Sequence, residues 1–361
     1  MTVLVTACGG GISTPAKPAA PAGSGPVSGA QPQPKAGGAA KPAASGEQIK
    51  WRAALFGPPR EATKQDEFLA AEIEKRTNGR MKIELGHGEV FSKSTEIPEG
   101  VKAGAFEIGW ICGSYYPAKF PLLSVLDLAF FAPGNLDNQV KLAHALFEQP
   151  AILEEFKKWN ARPLVSNPLP GYQMMGKKAV RTADDLKGLR IRVSGEMARP
   201  LEDFGAVKAL VPAPEVFTSL DKGVFDMATF PATYAFAAYK IDEISKHYVD
   251  KMDLGSQPCL RAVNLDAWTK LPSDLQKTMT ELLPDAVKAT NDAYVEADKK
   301  NIPAWKARGI EMIEFPKVER DKLLAGTQKH YKEWVEDKQK KNLPGQDIFD
   351  FVTKKKAEIE K

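Results

Sequence analysis

From Ile49 onward, apolar and polar positions form short blocks that alternate between the spacing of strands and the spacing of helices. The first block, 51–56, is apolar except for Arg52 and is ended by a Gly-Pro-Pro turn, which predicts a strand. The next block repeats its apolar residues at helical spacing and stops at Asn-Gly. In order, the predicted elements are strand 51–56, helix 62–77, strand 81–85, helix 95–103 and strand 106–112. This β-α-β-α-β order indicates an α/β fold with a largely parallel sheet covered by helices.

The same alternation starts again after a proline-rich bend at 167–171, which we interpret as a hinge. A long helix is predicted over 138–159, and residues 164–166 lead from it to the bend. The elements predicted after it are strand 189–193, helix 196–204, strand 209–211, helix 215–221 and strand 224–229. Beyond Ser256 the pattern becomes mainly helical, including 273–306, and ends in a charged tail. The pattern therefore predicts a second α/β lobe.

We divide the chain accordingly into a leader, a linker, two lobes and a C-terminal part. The predicted boundaries are 1–8 for an export-signal remnant, 9–47 for a linker, 48–168 for lobe I, 169–256 for lobe II and 257–361 for a mainly helical segment that returns to both lobes. Two such lobes joined by a hinge are an arrangement that both enzymes and binding proteins use. A ligand cleft is expected between the lobes, at the strand ends, where open sheets usually bind small molecules.

The N-terminal residues carry a signal of their own. Leu4 to Cys8 resembles the lipobox of bacterial lipoproteins, in which small residues precede a cysteine that is acylated. Residues 9–47 are almost entirely Pro, Ala, Gly, Ser, Lys and Gln, a composition that cannot bury a core and predicts a disordered spacer. We expect a lipid on Cys8 to hold the folded part near a membrane, outside the cytoplasm.

Charge and cysteine content narrow the classes of partner. With 50 basic and 46 acidic side chains the formal charge is only +4, which does not favour a nucleic-acid partner. Charges interrupt every later apolar stretch, so membrane association is expected through the lipid anchor only. Besides Cys8 there are only Cys112 and Cys259. They could pair in an oxidising compartment, but the sequence favours buried free thiols.

No catalytic motif is evident. The four histidines are scattered, without metal-binding spacing, and the chain has neither a P-loop nor a GxSxG elbow. No cofactor is expected. An exported enzyme that processes a carboxylate stays the alternative to a binding protein.

The segment 184–193, Asp-Asp-Leu-Lys-Gly-Leu-Arg-Ile-Arg-Val, resembles the signature of solute-binding proteins of tripartite ATP-independent periplasmic (TRAP) transporters, the DctP family. The segments 122–131, 204–206, 214–220, 223–226 and 264–272 agree with that family in order. The resemblance implies a two-lobed periplasmic-binding-protein-like fold. Spacing alone cannot choose between Arg190 and Arg192, because residues two apart on a strand share a face. The resemblance chooses Arg192 as the carboxylate-binding arginine, a task that suits its permanently charged planar fork.

Compared with the sialic-acid-binding members of the family, this chain differs at two positions expected in the pocket. Tyr172 aligns with a second arginine of the sialic-acid-binding members, and Phe230 stands where they have asparagine. Arg192 is therefore expected to be the sole strong cation of the pocket. Further candidates for the pocket are Phe56, Trp110, Cys112, Tyr115 and Tyr234. Glu215 is a weaker candidate, because some relatives hold a metal ion beside the carboxylate, but its signal is too weak to predict a metal.

A pocket with one cation surrounded by aromatic side chains favours an aromatic or apolar monocarboxylate as the ligand. By resemblance, the protein captures this acid and delivers it to a sodium-driven TRAP membrane permease, without doing chemistry itself. A dicarboxylate, a keto acid or a hydroxy acid in the same system is the alternative ligand.

Overall fold

The structure, a computed structural model, describes residues 48–361. The strands are β1 Ile49–Ala54, β2 Met81–Gly86, β3 Ile108–Cys112, β4 Ala161–Asn167, β5 Tyr172–Gly176, β6 Arg190–Arg192, β7 Val207–Ala209, β8 Met227–Pro231, β9 His247–Asp250, β10 Cys259–Asn264 and β11 Glu311–Glu314. The α-helices are α1 Lys64–Arg76, α2 Ile97–Lys102, α3 Leu136–Phe147, α4 Pro150–Lys157, α5 Arg199–Asp203, α6 Val216–Asp221, α7 Tyr234–Ala238, α8 Leu265–Lys270, α9 Ser273–Ala307, α10 Lys317–Ala325, α11 Thr327–Lys340 and α12 Gly345–Ile359. The expected α/β class with a long helical C-terminal part is confirmed.

The first sheet has the strand order β2-β1-β3-β10-β4. β1 pairs in parallel with β2 and β3, as the β-α-β-α-β pattern predicted. β10 comes much later in the sequence than β3 and β4, and it lies antiparallel between them. The sheet is therefore mixed rather than largely parallel, because its fourth member enters from the opposite direction.

The second sheet has the order β11-β9-β5-β8-β6-β7. β6 pairs in parallel with β7 and β8, whereas β5 lies antiparallel to β8 and β9. The bend at 167–171 connects β4 of the first sheet to β5 of the second. The placement of the lobe boundaries and of a hinge at this bend stays a prediction.

The helix predicted over 138–159 is wrong as a single element. The structure has α3 and α4 instead, and Pro150 is the first residue of α4. Proline has no backbone N–H to donate into a preceding helical turn, but its fixed φ suits the first position of a new helix. The Asn135 side chain marks the start of α3, where its Oδ1 accepts a hydrogen bond of 2.7 Å from the Asn138 N–H.

The prediction of a mainly helical chain after Ser256 missed two strands. β10 is buried at every position, and β11 extends the second sheet beside β9. β5 and β9 were also not predicted. A strand that is buried on both faces lacks the alternation by which half-buried strands are recognised, and β10 is of this kind.

The longest helix, α9, contacts both halves of the fold. It packs against α1 near the first sheet and against α7 near the second. On α1, the apolar residues Leu69 and Ile73 are four apart and buried in one cluster with Met279 and Leu283 of α9. Burial of such a shared apolar face holds α1 in place beneath the loop that follows β1.

The predicted association with a membrane has two parts, the absence of a membrane-spanning helix and the attachment of a lipid. Among residues 48–361, no helix combines the length and the apolar character needed to cross a membrane. Cys8 and the linker 9–47 lie outside the described residues, so lipid attachment at Cys8 stays a prediction.

Candidate functional site

A narrow cavity lies between the two sheets, at the ends of β1, β3 and β8. The first-sheet side supplies residues from the end of β1, from β3 and the turn after it, and from the start of β10. The second-sheet side supplies residues from β5, β8 and α7. The lining residues are Phe56, Arg60, Trp110, Cys112, Tyr115, Leu169, Tyr172, Ala213, Phe230, Pro231, Tyr234, Ala235, Tyr239, Gln257 and Cys259. No acidic side chain is among these lining residues of the described chain.

Most of the residues predicted for the pocket line this cavity. They are Phe56, Trp110, Cys112, Tyr115, Tyr172, Phe230 and Tyr234. Arg192 lies directly behind two of them, Tyr115 and Phe230. Glu215 is the exception, because it is exposed to solvent at the end of a short turn and does not reach the cavity.

Arg192 is fully buried on β6. Its Nε donates to the Val211 carbonyl at 2.9 Å, its Nη1 to the Thr229 carbonyl at 2.8 Å and its Nη2 to the Tyr115 hydroxyl at 3.2 Å. Its Cζ lies 4.4 Å from the centre of the Phe230 ring. A guanidinium has five N–H donors, so these bonds leave one hydrogen on Nη1 and one on Nη2. Those two hydrogens remain available to an acceptor such as a carboxylate.

Arg190, two residues earlier on the same strand, is placed quite differently. It is exposed, and its Nη2 and Nε donate to the two carboxylate oxygens of Asp226 at 2.9 and 3.2 Å. By contrast, no carboxylate of residues 48–361 comes within 4 Å of the Arg192 guanidinium. The structure thus separates the two arginines whose spacing left the choice open.

Aromatic rings surround the cavity in two groups. On one side, Phe56 stacks on Trp110 at 4.5 Å and lies 5.8 Å from Tyr115. On the other, Phe230 stacks on Tyr239 at 5.5 Å. These apolar surfaces, facing each other across a gap, suit a flat or apolar ligand body.

Three tyrosines of the cavity, Tyr172, Tyr234 and Tyr239, remain neutral at physiological pH. Burial raises the pKa of Tyr172 and of Tyr234 well above the usual value, and it raises that of Tyr239 to about 12. Tyr172 donates its hydroxyl hydrogen to Gln257 Oε1 at 2.7 Å, and Gln257 in turn bonds to Ser114. This chain of hydrogen bonds fixes the Tyr172 ring against the first-sheet side of the cavity.

Cys112 and Cys259 form a disulfide, so the expectation of free thiols is wrong. The two residues lie directly opposite each other in the antiparallel pairing of β3 with β10. Their separation of 147 residues in sequence hid this pairing, which depends on the missed strand β10. The disulfide contributes a soft apolar patch to the cavity rather than a thiol.

Arg60 is a second buried cation, which the sequence analysis did not identify. It follows the turn after β1, lines the cavity and is only 6% exposed. Its Nη1 donates to the Phe56 and Pro58 carbonyls, both at 2.8 Å. The expectation that Arg192 is the sole strong cation of the pocket is therefore wrong. An arginine beside two prolines looks like a solvent-exposed loop residue, so the sequence offers no signal that it turns inward.

A metal-binding site would need several ligating side chains close together. Within the described part of the chain, no group of three or more His, Cys, Asp or Glu side chains could hold a metal ion. The cavity therefore presents arginine, hydroxyl and aromatic groups to a ligand, a combination suited to an organic anion.

The family model for bacterial extracellular solute-binding proteins of family 7, the DctP family, matches residues 59–338. The chain belongs to this family. The matched range includes both sheets except β1 and every lining residue of the cavity apart from Phe56. The resemblance carried by residues 184–193 is thus confirmed.

Similar proteins include a curated relative from Nostoc sp. strain PCC 7120, the monocarboxylate 2-oxoacid-binding periplasmic protein all3028. It is 24% identical over 277 residues, which cover 74% of this chain and 74% of the relative.

Two solved TRAP solute-binding proteins have the same fold. One, from Rhodoferax ferrireducens T118, was solved with copurified benzoate and has a TM-score of 0.78, with 21% identity over 87% of this chain and 99% of its own. The other, from a marine metagenome, is described as specific for aromatic acid ligands and was solved with metahydroxyphenylacetate. Its TM-score is 0.77, with 20% identity over 87% of this chain and all (100%) of its own. At such identities the likeness establishes the fold alone.

Proposed function

We propose that this DctP-family protein captures a small organic acid, an aromatic or apolar monocarboxylate, and delivers it to a sodium-driven TRAP permease. The alternative ligand is a keto acid, a hydroxy acid or a dicarboxylate bound in the same cavity. An exported enzyme that processes a carboxylate is the alternative function, and the solute-binding family argues against it.

The proposal rests on one observation, the burial of the charged Arg192 side chain without a carboxylate partner among residues 48–361. It is fully buried, it cannot lose its proton, and within residues 48–361 it has no carboxylate partner. A buried charge of this kind is costly unless an opposite charge compensates it. Two of its N–H groups are left over after bonding to neutral oxygens, and a ligand carboxylate would satisfy both.

The ligand's body is inferred from the rings. Phe230 and Tyr115 lie between Arg192 and the cavity, and Phe56, Trp110 and Tyr239 continue the aromatic lining. A sugar acid or a short dicarboxylate would leave these rings without an apolar partner. Two solved relatives bind benzoate or metahydroxyphenylacetate, which supports an aromatic acid. The 2-oxoacid-binding relative from Nostoc supports the keto-acid alternative.

Capture is proposed to close the two lobes, 48–168 and 169–256, about the bend at 167–171. Tyr115, from the turn after β3, already joins the two sides, because its hydroxyl bonds to Arg192 and accepts from the Ala213 N–H at 3.1 Å. A ligand favours the closed state only through contacts that it makes with both lobes. A lipid on Cys8 would keep the receptor close to its permease.

The test is a thermal-shift screen of organic acids followed by calorimetry. Benzoate and phenylacetate are expected to raise the melting temperature more than succinate or N-acetylneuraminate, because a ligand that binds only the native state stabilises it. Turnover of each hit is measured as well, since a product would favour the enzyme alternative. If only dicarboxylates stabilise the protein, the proposed ligand class is wrong.

Arg192→Ala is expected to abolish binding of the acid while the protein still folds. Arg192→Lys keeps the charge but loses the planar fork, so it should bind at least tenfold more weakly than wild type. Arg190→Ala is the matched control, because Arg190 is on the same strand but faces solvent, and it should bind as wild type does. Circular dichroism checks the fold of each variant. Unchanged affinity in Arg192→Ala would remove Arg192 from the site.

A further inference from the structure

Arg60 and Tyr239 lie side by side in the cavity with unused hydrogen-bonding groups. Among the residues that the structure describes, the Arg60 Nε and the Tyr239 hydroxyl are buried and have no hydrogen-bond partner. Arg60 likewise has no carboxylate of residues 48–361 within 4 Å. Buried polar groups in folded proteins are almost always paired, so two unpaired neighbours in one cavity call for a partner that is not part of the chain.

The absence of a side chain at Gly57 brings these two groups together. A β-carbon at residue 57 would lie 2.4 Å from the Tyr239 hydroxyl oxygen and 2.9 Å from Arg60 Nη1. Gly57 also has a φ of +71°, a conformation that other residues adopt only with strain. Glycine thus lets the guanidinium and the phenol approach the same point.

The orientation of Arg60 is fixed by the backbone. Both bonds that it donates come from Nη1, to the Phe56 and Pro58 carbonyls. The Nε–H and the Nη2 hydrogens are left, and the Nε–H lies parallel to one of the Nη2 hydrogens along one edge of the guanidinium. That edge can bind two oxygens, or one oxygen through both hydrogens.

A purely structural role does not account for this arrangement. Arg60 does lie over three rings, with its Cζ 4.3 Å from the Trp110 centre, 5.2 Å from Tyr239 and 5.4 Å from Phe56. Such cation–π contacts use the face of the guanidinium and leave the N–H groups at its edge unsatisfied. The edge therefore remains available to an acceptor.

Arg60 and Arg192 flank a pair of stacked rings. Phe230 lies against Arg192 and stacks on Tyr239, and Tyr239 lies against Arg60. A ligand whose carboxylate binds Arg192 and whose body covers these rings would extend its other end toward Arg60.

We infer that Arg60 and Tyr239 form a second anchor, which selects acids that carry an oxygen acceptor at the end away from the carboxylate. The inference rests on the proposed function and adds the chemistry of the ligand's far end. Hydroxyl, keto and second carboxylate oxygens all qualify, whereas an unsubstituted ring or chain does not.

The experiment compares matched pairs of acids by calorimetry on the full protein. One pair is benzoate with 4-hydroxybenzoate, and the other is hexanoate with 5-oxohexanoate. In wild type the oxygen-bearing member of at least one pair should bind roughly tenfold to a hundredfold more tightly, as a hydrogen bond to a charged group allows. In Arg60→Met this advantage should disappear, so that the two members of the pair bind equally well.

Two further variants are measured with the same pairs of acids. Tyr239→Phe removes only the hydroxyl and should reduce the advantage in part. Arg162→Met is the matched control, since Arg162 also lies over a ring, 4.7 Å from the centre of Trp268, but outside the cavity. It should preserve the advantage in full. Because the comparison is made between two ligands within each variant, a general loss of stability cancels.

The results can distinguish a failure of the second anchor from a failure of the proposed function. If the members of both pairs bind wild type equally, or if Arg60→Met weakens both members of a pair equally, the second anchor is wrong and the proposed function still stands. If no monocarboxylate binds, or if Arg192→Ala binds normally, the proposed function itself is wrong.

Discussion

Arg192 and Arg261 are two arginines with the same degree of burial and opposite surroundings. They are 0% and 1% exposed, and each lies on a strand between apolar neighbours. Arg261, on β10, donates from Nε to Asp66 Oδ1 at 2.6 Å and from Nη2 to Asp66 Oδ2, and Asp66 itself is buried. Arg192 has only neutral oxygens around it. The difference teaches that the fold neutralises one of these charges and leaves the other without a carboxylate partner among the described residues, as the proposed ligand site requires.

Glu155 illustrates a third way to treat a buried charge. It is 2% exposed and, within the described residues, has no basic group within 4 Å. Its Oε1 accepts from the Leu122 N–H at 2.6 Å. Burial raises its pKa to about 7, so the carboxyl can become neutral by taking up a proton. An arginine cannot be neutralised in this way, because its guanidinium is not deprotonated in proteins.

The largest effect is expected from Arg261→Met. It leaves the Asp66 carboxylate buried without its partner, which should lower the free energy of unfolding by about 3–5 kcal/mol. Urea denaturation measures the loss. The double variant Asp66→Asn with Arg261→Met should recover a large part of it, because both charges are then gone. A loss below about 1 kcal/mol in the single variant would mean that the ion pair is not what separates Arg261 from Arg192.

A smaller effect, and one that depends on pH, is expected from Glu155→Gln. The folded state holds a proton on Glu155 up to a pKa of about 7, whereas the unfolded value is near 4.5, so this carboxyl binds more protons in the folded state. Its contribution to stability is therefore complete below pH 4.5 and is lost as pH rises through 7. The loss amounts to about 3 kcal/mol at most.

The measurement compares urea denaturation of wild type and Glu155→Gln at several pH values from 5 to 8. The glutamine variant cannot ionise, so its stability relative to wild type should increase with pH. Asp127, whose pKa burial raises well above the usual value, affects both proteins alike and cancels. A difference that stays constant with pH would contradict the assignment.

The smallest effect is expected from Tyr115→Phe in the ligand-free protein. It removes one neutral partner of Arg192, and the free energy of unfolding should fall by about 1–2 kcal/mol. Urea denaturation with and without benzoate measures it. A loss as large as that of Arg261→Met would indicate that the tyrosine hydroxyl, rather than a ligand, compensates the Arg192 charge, and the contrast between the two arginines would then disappear.

The sequence anticipated local elements better than the pairing of distant ones. Strands β1 and β6 and helix α1 were predicted within a few residues of their bounds, because their pattern depends on neighbours along the chain. The long helix over 138–159 failed at Pro150, although a proline in a helical pattern is a known boundary. β10 was missed, and with it the disulfide between Cys112 and Cys259, because its partners lie far away in sequence.

For the site, residues in a family signature were recognisable and residues in loops were not. Arg192 belongs to the signature 184–193, and most of the aromatic candidates lie at 110–115, 172 and 230–234, which the resemblance places at the cleft. Arg60 follows Gly-Pro-Pro and has no such signal. Glu215 was a weaker candidate because some relatives hold a metal ion beside the carboxylate, yet it ends a short turn and is exposed to solvent.

What the sequence determined by itself is the family, the α/β class and the presence of an arginine on a strand near residue 192. These depend on short-range patterns that fold locally. Only the tertiary structure decided which buried arginine has a partner, because Asp66 lies 195 residues from Arg261 in the chain and no carboxylate of the described residues comes near Arg192. Compensation of a buried charge is a property of the space around it, and that space is defined only when distant segments pack together.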